Sequence, residues 1–489
     1  MSAESVHDQR PGPGRYRPMD TAELQRITTA NGHSHAPRTV AALCEQFAPV
    51  CQSAVDPLEI ASALEFEGVG DQVAKLRYGY RDVFALAQDM YFRVPRKPAE
   101  PETPPDPWQG SRLRPALHGL LYGLPGVYFP AAIGLLAGPG ILVTLIVALL
   151  VAWSMGQGLA YFGYTRLGRT MDTDQARQVL RFALAGGLLV VAVAMAVIGH
   201  VVHATGSVML FGAGEGVYML GAGVLMVLGA ERWLLAALAP GVLGSAVFLA
   251  MGRPPNLAHA TWVLLAATPV LALLLALVFT RTPGSRIARL PESAEWVGAL
   301  PAMAFGLVAA GLLTFPIAVG PHGHGGVNIG ALLAALPLSL SMGAAEWSLL
   351  WYRRRTQRLL RETTQTRVFA AKARLALLAA LLQYLAVAAV LVAVTVAVAA
   401  AAGIVQPHLA YLPQLAAYGA LGGAMFLALM VQAMGLRTFP LIASAAALAF
   451  EIVARDFGVL AQIVACTELF LVIGVYAAVM LGRAVRHAY

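Results

Sequence analysis

Glu215, in the middle of the apolar run FGAGEGVYML, is the side chain with the most chemistry to offer. Ionisable groups are costly inside a membrane segment and mark ion or substrate pathways. Gly212, Gly214 and Gly216 ring it and leave room for a neighbouring backbone or a ligand. Two readings stand: a carboxylate that exchanges a proton or Na⁺ during transport, or a hydrogen bond that glues two helices together. Gln157, Glu346 and Glu468 are further polar residues in apolar surroundings, and Gln383 and Gln432 could line a cavity or bond between helices. His200 and His203 lie three residues apart, hence on one helix face, and read as interfacial because no further metal ligand is near; His118 is read in the same way. Glu451 and Arg455 are spaced to pair along one helix. His322 and His324, in GPHGHGG, are too few for a zinc site. Neither metal nor cofactor is expected. With no Walker A sequence, nucleophile elbow or HExxH motif, no catalytic residue is expected either, and the chain reads as a non-enzyme.

The elements that must hold these groups follow from composition. Hydrophobic residues make up 58% of the chain and charged ones 12%, which excludes an ordinary soluble domain of about 50% apolar residues. A membrane helix needs about 20 mostly apolar residues. After Gly110 the sequence supplies about twelve such stretches: 117–137, 141–163, 179–203, 206–229, 233–252, 259–280, 295–319, 327–350, 375–403, 411–433, 438–454 and 459–481. The polar start has no secretory signal pattern, so the N-terminus is expected to stay in the cytoplasm. An even number of spans then returns the C-terminus to the same side. Arg166, Arg169, Arg177, Arg181, Arg281, Arg286, the run from Arg353 to Arg374 and Arg483 all fall on that side, against only Arg253 and Arg455 opposite. This bias is what the positive-inside rule requires of a multi-pass inner-membrane protein. The net charge of +8 is therefore loop topology, and nucleic acid is not an expected partner.

The two halves carry an internal echo. ALLVAWSMG from Ala148 is answered 187 residues later by ALPLSLSMG from Ala335, and at the same offset Arg166 falls on Arg353. Gln157 and Glu346 lie near equivalent places in the two copies and are expected to line one cleft. Duplicated bundles rocking about a shared midplane site give alternating access. Pro125 and Pro130 interrupt the first stretch, and Pro301 and Pro316 the seventh, six spans later. Prolines free backbone groups that only other protein groups or a cavity can satisfy in a membrane, so these four are hinge candidates.

Ahead of the spans, residues 1–38 read as flexible and 39–94 as a small cytoplasmic helical module. In VDPLEIASALEFEG, Asp56 is placed to cap, Pro57 to open and Glu59 to close a capping box. Further helices are expected from Asp71 and near Arg81, the latter with a face of Val83, Phe84, Leu86, Ala87, Met90 and Tyr91. The module is expected to dock on itself, on a partner protein or on the cytoplasmic mouth, and Cys44 and Cys51 to pack as small apolar residues. Residues 95–114 form a proline-rich tether, followed by six-span bundles at 115–294 and 295–489. WYRRRTQRLLRETTQTRVFAAKAR, from Trp351, is expected to prolong span eight or nine into the cytoplasm. The fold class is all-α: a polytopic membrane protein of about twelve helices in two six-helix halves.

This layout resembles the multidrug/oligosaccharidyl-lipid/polysaccharide flippase superfamily, which includes polysaccharide exporters, lipid II flippases and multidrug and toxin extrusion transporters. The resemblance is carried by the two six-span halves, the proline-bearing spans one and seven, and the passage YFGYTRLGRTMDTDQARQVLRFALAGGLL from Tyr161, a basic loop joining spans two and three. It implies two bundles around a V-shaped cleft that opens to each side in turn. It also implies an amphiphilic or glycosylated lipid as substrate, exported by alternating access; coupling to an ion rests on Glu215 alone. No Arg or Lys lies deep in a span to hold a lipid diphosphate. Gly163, Arg166, Gly168 and Arg169 faintly resemble the loop motif of major facilitator transporters, with Thr165 where its Asp is expected. That alternative, a multidrug small-molecule exporter, and a non-transporting scaffold that recruits a glycosyltransferase or regulator are the competing readings.

Overall fold

The computed structural model describes residues 39–95, 114–133, 135–136, 140–170, 172–282, 290–319, 329–401 and 411–483. They are helical, with no strand among them. The segment 1–38, most of the tether and the loop holding His322 and His324 lie outside the described residues. The chain divides into two units, 1–109 and 110–489.

In the first unit, α1 (Val40–Gln46), α2 (Ala48–Ser53), α3 (Pro57–Phe66), α4 (Asp71–Tyr78) and α5 (Val83–Arg93) enclose a core of their own. Leu43, Phe47, Ile60, Leu64, Leu86 and Met90 fill it. The cap of α3 is the one the sequence announces. The Asp56 carboxylate accepts from the Leu58 N–H at 2.9 Å, and Glu59 reaches back to the Val55 N–H at 3.2 Å, one residue before the cap. Asp82 caps α5 through the Ala85 N–H at 2.7 Å. The Tyr91 hydroxyl donates to the Val55 carbonyl at 2.7 Å and ties α5 to the entrance of α3. Phe84 departs from expectation: it is 51% exposed while Val83, Leu86, Ala87, Met90 and Tyr91 are buried. The five buried positions already fill the stripe, so Phe84 is turned outward.

Cys44 and Cys51 are buried in this core as expected. Burial pushes the Cys51 thiol up to about 11 and raises Cys44 as well. The thiolate is the reacting species. A maleimide at neutral pH is therefore expected to label Cys44, Cys51 and the buried Cys466 only after denaturation; native labelling at the rate of an exposed thiol would contradict this packing.

Among its described residues the second unit holds ten helices that are long and apolar enough to cross a membrane, with Thr438–Val453 as a shorter apolar helix. Together with a broken first segment they form the twelve expected spans, and the chain is a multi-pass membrane protein. Span one runs as Arg114–Gly123, a 3₁₀ turn Leu124–Val127 and Tyr128–Ile133. Spans two to six are Ile141–Thr170, Thr173–Val201, Gly206–Val227, Glu231–Ala250 and Pro255–Phe279. Span seven is Ser293–Val319, and span eight is Ile329–Leu340 followed by Met342–Glu362. Spans nine to twelve are Thr366–Ala401, Leu412–Ala433, Thr438–Val453 and Val459–Met480.

The four prolines behave differently. Pro125 sits in the 3₁₀ turn that breaks span one and Pro130 in the short helix after it, whereas span seven runs unbroken through Pro301 and Pro316. The Tyr418 hydroxyl of span ten donates to the Leu313 carbonyl at 2.7 Å, the carbonyl next to that of Leu312, which the proline leaves without its helical donor. Beyond their apolar stretches, spans eight and nine carry the arginine run on their adjoining ends, and Leu359, Phe369 and Ala373 give this helical hairpin its own small core.

The internal echo reappears as packing. A Cβ on Gly119 of span one would lie 3.0 Å from the Leu340 carbonyl oxygen and 3.1 Å from the Gly343 Cα of span eight. A Cβ on Gly306 of span seven would lie 3.2 Å from the Trp153 carbonyl oxygen and 3.3 Å from the Ser154 Cα of span two. Gly306 follows Gly119 by 187 residues, and Leu340 follows Trp153 by the same number. The halves thus meet in two crossings related by the repeat, span one on eight and span seven on two, each needing a residue without a side chain.

Candidate functional site

Two sets of ionisable side chains join the halves at the arginine-rich end of these crossings. In the outer tier, Arg166 near the end of span two holds Glu295 in the first turn of span seven. Its Nη2 donates to Oε2 at 2.9 Å, and its Nε lies 2.7 Å from Oε1, an ion pair without hydrogen-bond alignment. The same Nη2 reaches Glu292 at 3.3 Å. Both main partners are withdrawn from solvent, with Arg166 9% and Glu295 0% exposed in their side chains. Beside them the Arg437 guanidinium of the second half lies 4.7 Å from the ring centre of Tyr161 in span two. Phe162 meets Trp296 edge-on at 5.0 Å.

The inner tier is built on His118. Its Nδ1 lies 2.5 Å from Glu346 Oε2 in span eight, and its Nε2 lies 3.1 Å from Glu231 Oε1 at the start of span five. The imidazole is 12% exposed. Glu346 precedes Arg353, the repeat mate of Arg166, by seven residues, so this tier is ~10 Å deeper in the membrane than the arginine level. The same break in span eight that admits Gly119 brings the histidine to its acid: Ser341 closes the first segment with its hydroxyl on the Leu338 carbonyl at 2.7 Å. Arg353 itself does other work, donating to the Ala433 carbonyl at 2.7 Å at the end of span ten.

The remaining sequence candidates are distributed as follows. Glu215 is half-buried on span four, and its Oε2 is buried with no hydrogen-bond partner among the described residues. Gly212 and Gly216 turn toward Met195 and Val191 of span three, and Gly214 toward Pro269 of span six. Gln157 lies between the halves, its Cγ 2.7 Å from where a Cβ on Gly306 would stand. Glu346 is in the inner tier, against His118. His200, His203 and Glu468 are exposed and take no part in either tier. The expected Glu451–Arg455 pair does not form. Arg455 turns to Asp456 at 3.7 Å, while Glu451 Oε1 accepts from the Cys466 thiol at 3.6 Å and its Oε2 is buried without a hydrogen-bond partner. The cause is local: span eleven ends at Val453, and Arg455 lies in the 3₁₀ turn beyond it. Glu451, Gln414 and Gln462, the last two hydrogen-bonded to each other, line a small cavity between spans seven, ten, eleven and twelve.

Sequence reading missed Glu231 and Glu295. Both stand in the first turn of a span, where an acid reads as a partner of the helix dipole. The available signal was that each opens an apolar run with no lysine or arginine three or four residues away along its own helix.

Fold and site together define a multi-pass, all-helical membrane protein of two six-helix halves joined by charged contacts at one end. No protein-family model and no curated protein matches the chain. Some solved structures are similar to it. An inward-facing multidrug-resistance MATE family transporter of the MOP superfamily is 13% identical, with 75% of this chain and 93% of that one covered and a TM-score of 0.40. An outward-facing one is 12% identical over 76% and 94%, and a MATE protein in complex with MaL6 is 14% identical over 75% and 94%, each with a TM-score of 0.44.

Proposed function

We propose that this chain is a bacterial inner-membrane exporter or flippase that moves a glycan or lipid-linked saccharide by alternating access, with both termini in the cytoplasm. The observation that carries the reading is the pair of crossings related by the repeat, Gly119 on Leu340 and Gly306 on Trp153. Two similar bundles hinged on equivalent contacts can rock without unpacking either one, which is how repeat-built transporters expose one site to each side in turn. The arginine-rich end is then the cytoplasmic end, closed here by the two charged tiers. The glycan class rests on the resemblance to polysaccharide exporters.

Glu215 is the coupling group in this reading, taking up a proton or Na⁺ within the first half. Its unpartnered buried oxygen supports this role over that of packing glue, since a helix-joining carboxylate would have a donor. The module at 39–94 recruits a cytoplasmic protein, a role supported by its exposed Phe66, Leu76 and Phe92.

The test is export by Glu215→Gln cells across a pH series. Export is expected to fall at least about tenfold, equivalent to ~1.4 kcal/mol, and to lose its dependence on the ion gradient. Unchanged export at every pH would remove Glu215 from the mechanism.

A further inference from the structure

We propose that His118, Glu231 and Glu346 form a proton-binding latch: with the proton bound the latch ties the two halves together, and with the proton lost it releases them. The inference rests on the alternating-access reading and adds to it the site and sign of a gate.

The argument is one of donors and acceptors. A neutral imidazole has one N–H and one bare nitrogen, and an ionised carboxylate can only accept. Both ring nitrogens face carboxylate oxygens, at 2.5 Å and 3.1 Å. A neutral histidine between two ionised glutamates would satisfy one contact and set a lone pair against an oxygen in the other. Both contacts are attractive only when the cluster holds one more proton, on the ring as imidazolium or on one carboxyl. Its net charge is then −1. Loss of that proton leaves two carboxylates and a neutral ring, with net charge −2 and one contact turned repulsive.

Placement makes that proton mechanical. His118 and Glu231 belong to the first half and Glu346 to the second, so a broken Glu346 contact is a broken contact between halves. Among the described side chains of spans five and eight, Arg232 and Arg353 are engaged elsewhere. On span five, Arg232 lies over Trp233 at 5.9 Å. On span eight, Arg353 is engaged with the Ala433 carbonyl. The first segment of span eight and the 3₁₀ turn of span one contain no titratable residue. The Arg166–Glu295 tier beside it is permanently charged through its arginine, so the end has one fixed clasp and one that a proton works.

The experiment measures the distance between spin labels on the full chain in lipid nanodiscs. Labels are placed through Arg169→Cys at the end of span two and Arg358→Cys in the extension of span eight, both exposed positions, with the native cysteines buried and silent. A series from about pH 5.5 to about pH 9.5 starts below the ordinary imidazole value of about 6.5 and ends well above it. In the wild type a longer-distance population is expected to grow as pH rises. His118→Leu leaves the two carboxylates facing each other and is expected to show the longer distance throughout. Glu346→Gln can donate to a neutral ring, so it needs no extra proton and is expected to hold the short distance at every pH. Because that variant is predicted to be tighter than the wild type, a folding defect cannot imitate it. A single pH-independent distance in the wild type, or Glu346→Gln following the wild-type curve, overturns the latch. The readout involves no substrate, so a working latch in a protein that exports no glycan would sink the substrate reading alone.

Discussion

Arg166→Ala is expected to destabilise the membrane unit by about 3–5 kcal/mol, the cost of leaving a buried carboxylate uncompensated. Glu295 has no exposed side-chain surface, and the guanidinium faces both of its oxygens. Its remaining hydrogen bond, to the Glu292 N–H at 2.9 Å, satisfies one oxygen but brings no positive charge. Arg166→Lys is expected to recover only part of the loss, because an ammonium cannot face two carboxylate oxygens as a planar fork does. Glu295→Ala is expected to cost less, since Arg166 keeps Glu292 at 3.3 Å. The double variant Arg166→Leu/Glu295→Leu removes both charges and is expected to lie closer to wild type than Arg166→Ala alone. Melting of the detergent-purified protein orders these variants. An Arg166→Ala protein that melts with the wild type would show that the pair is solvated and that the outer tier is no clasp.

The second large effect concerns the crossings. Gly119→Ala places a methyl group against backbone atoms at 3.0, 3.1 and 3.2 Å, none of which can swing away. Overpacking of this kind costs about 1–3 kcal/mol. Gly306→Ala meets the Gln157 side chain first, at 2.7 Å, with the Trp153 and Ser154 backbone at 3.2 and 3.3 Å. A flexible glutamine can yield, so Gly306→Ala is expected to be the milder of the two, and Gly306→Val to approach it. Gly156, also in span two, has nothing within 4 Å of its Cβ position. Gly156→Ala is therefore expected to be neutral or to stabilise by about 0.5–1 kcal/mol through helix propensity. Equal melting of Gly119→Ala and Gly156→Ala would mean that the halves do not meet where the repeat places them.

How much was legible in the sequence can be judged residue by residue. The cap at Asp56 was, because capping is local chemistry. The echo at Ala148 and Ala335 pointed to the duplicated bundles, and its offset turned out to relate the glycine crossings too. Glu346 stood out as an acid in apolar surroundings, but its partner did not: His118 lies 228 residues away, and periodicity says nothing about which spans touch. Arg166 was read as one arginine among many that set topology, a reading that fits its place in the chain and misses its burial. The supposed Glu451–Arg455 pair failed because spacing along a helix holds only while the helix continues, and this one stops at Val453. Pro125 signalled a break that Pro301 and Pro316 did not deliver. Whether a proline breaks a span depends on the neighbours available to its freed carbonyls, and these are tertiary facts.

The central claim, that the chain carries a glycan or lipid-linked sugar across the membrane, is tested most directly in a deletion strain against a complemented control. The pool of lipid-linked saccharides and the amount of surface glycan are measured together. The account predicts accumulation of a lipid-linked intermediate and loss of surface glycan, both reversed by the wild-type gene and not by Glu215→Gln. Unchanged pools with unchanged surface glycan would contradict it and turn attention to small-molecule export.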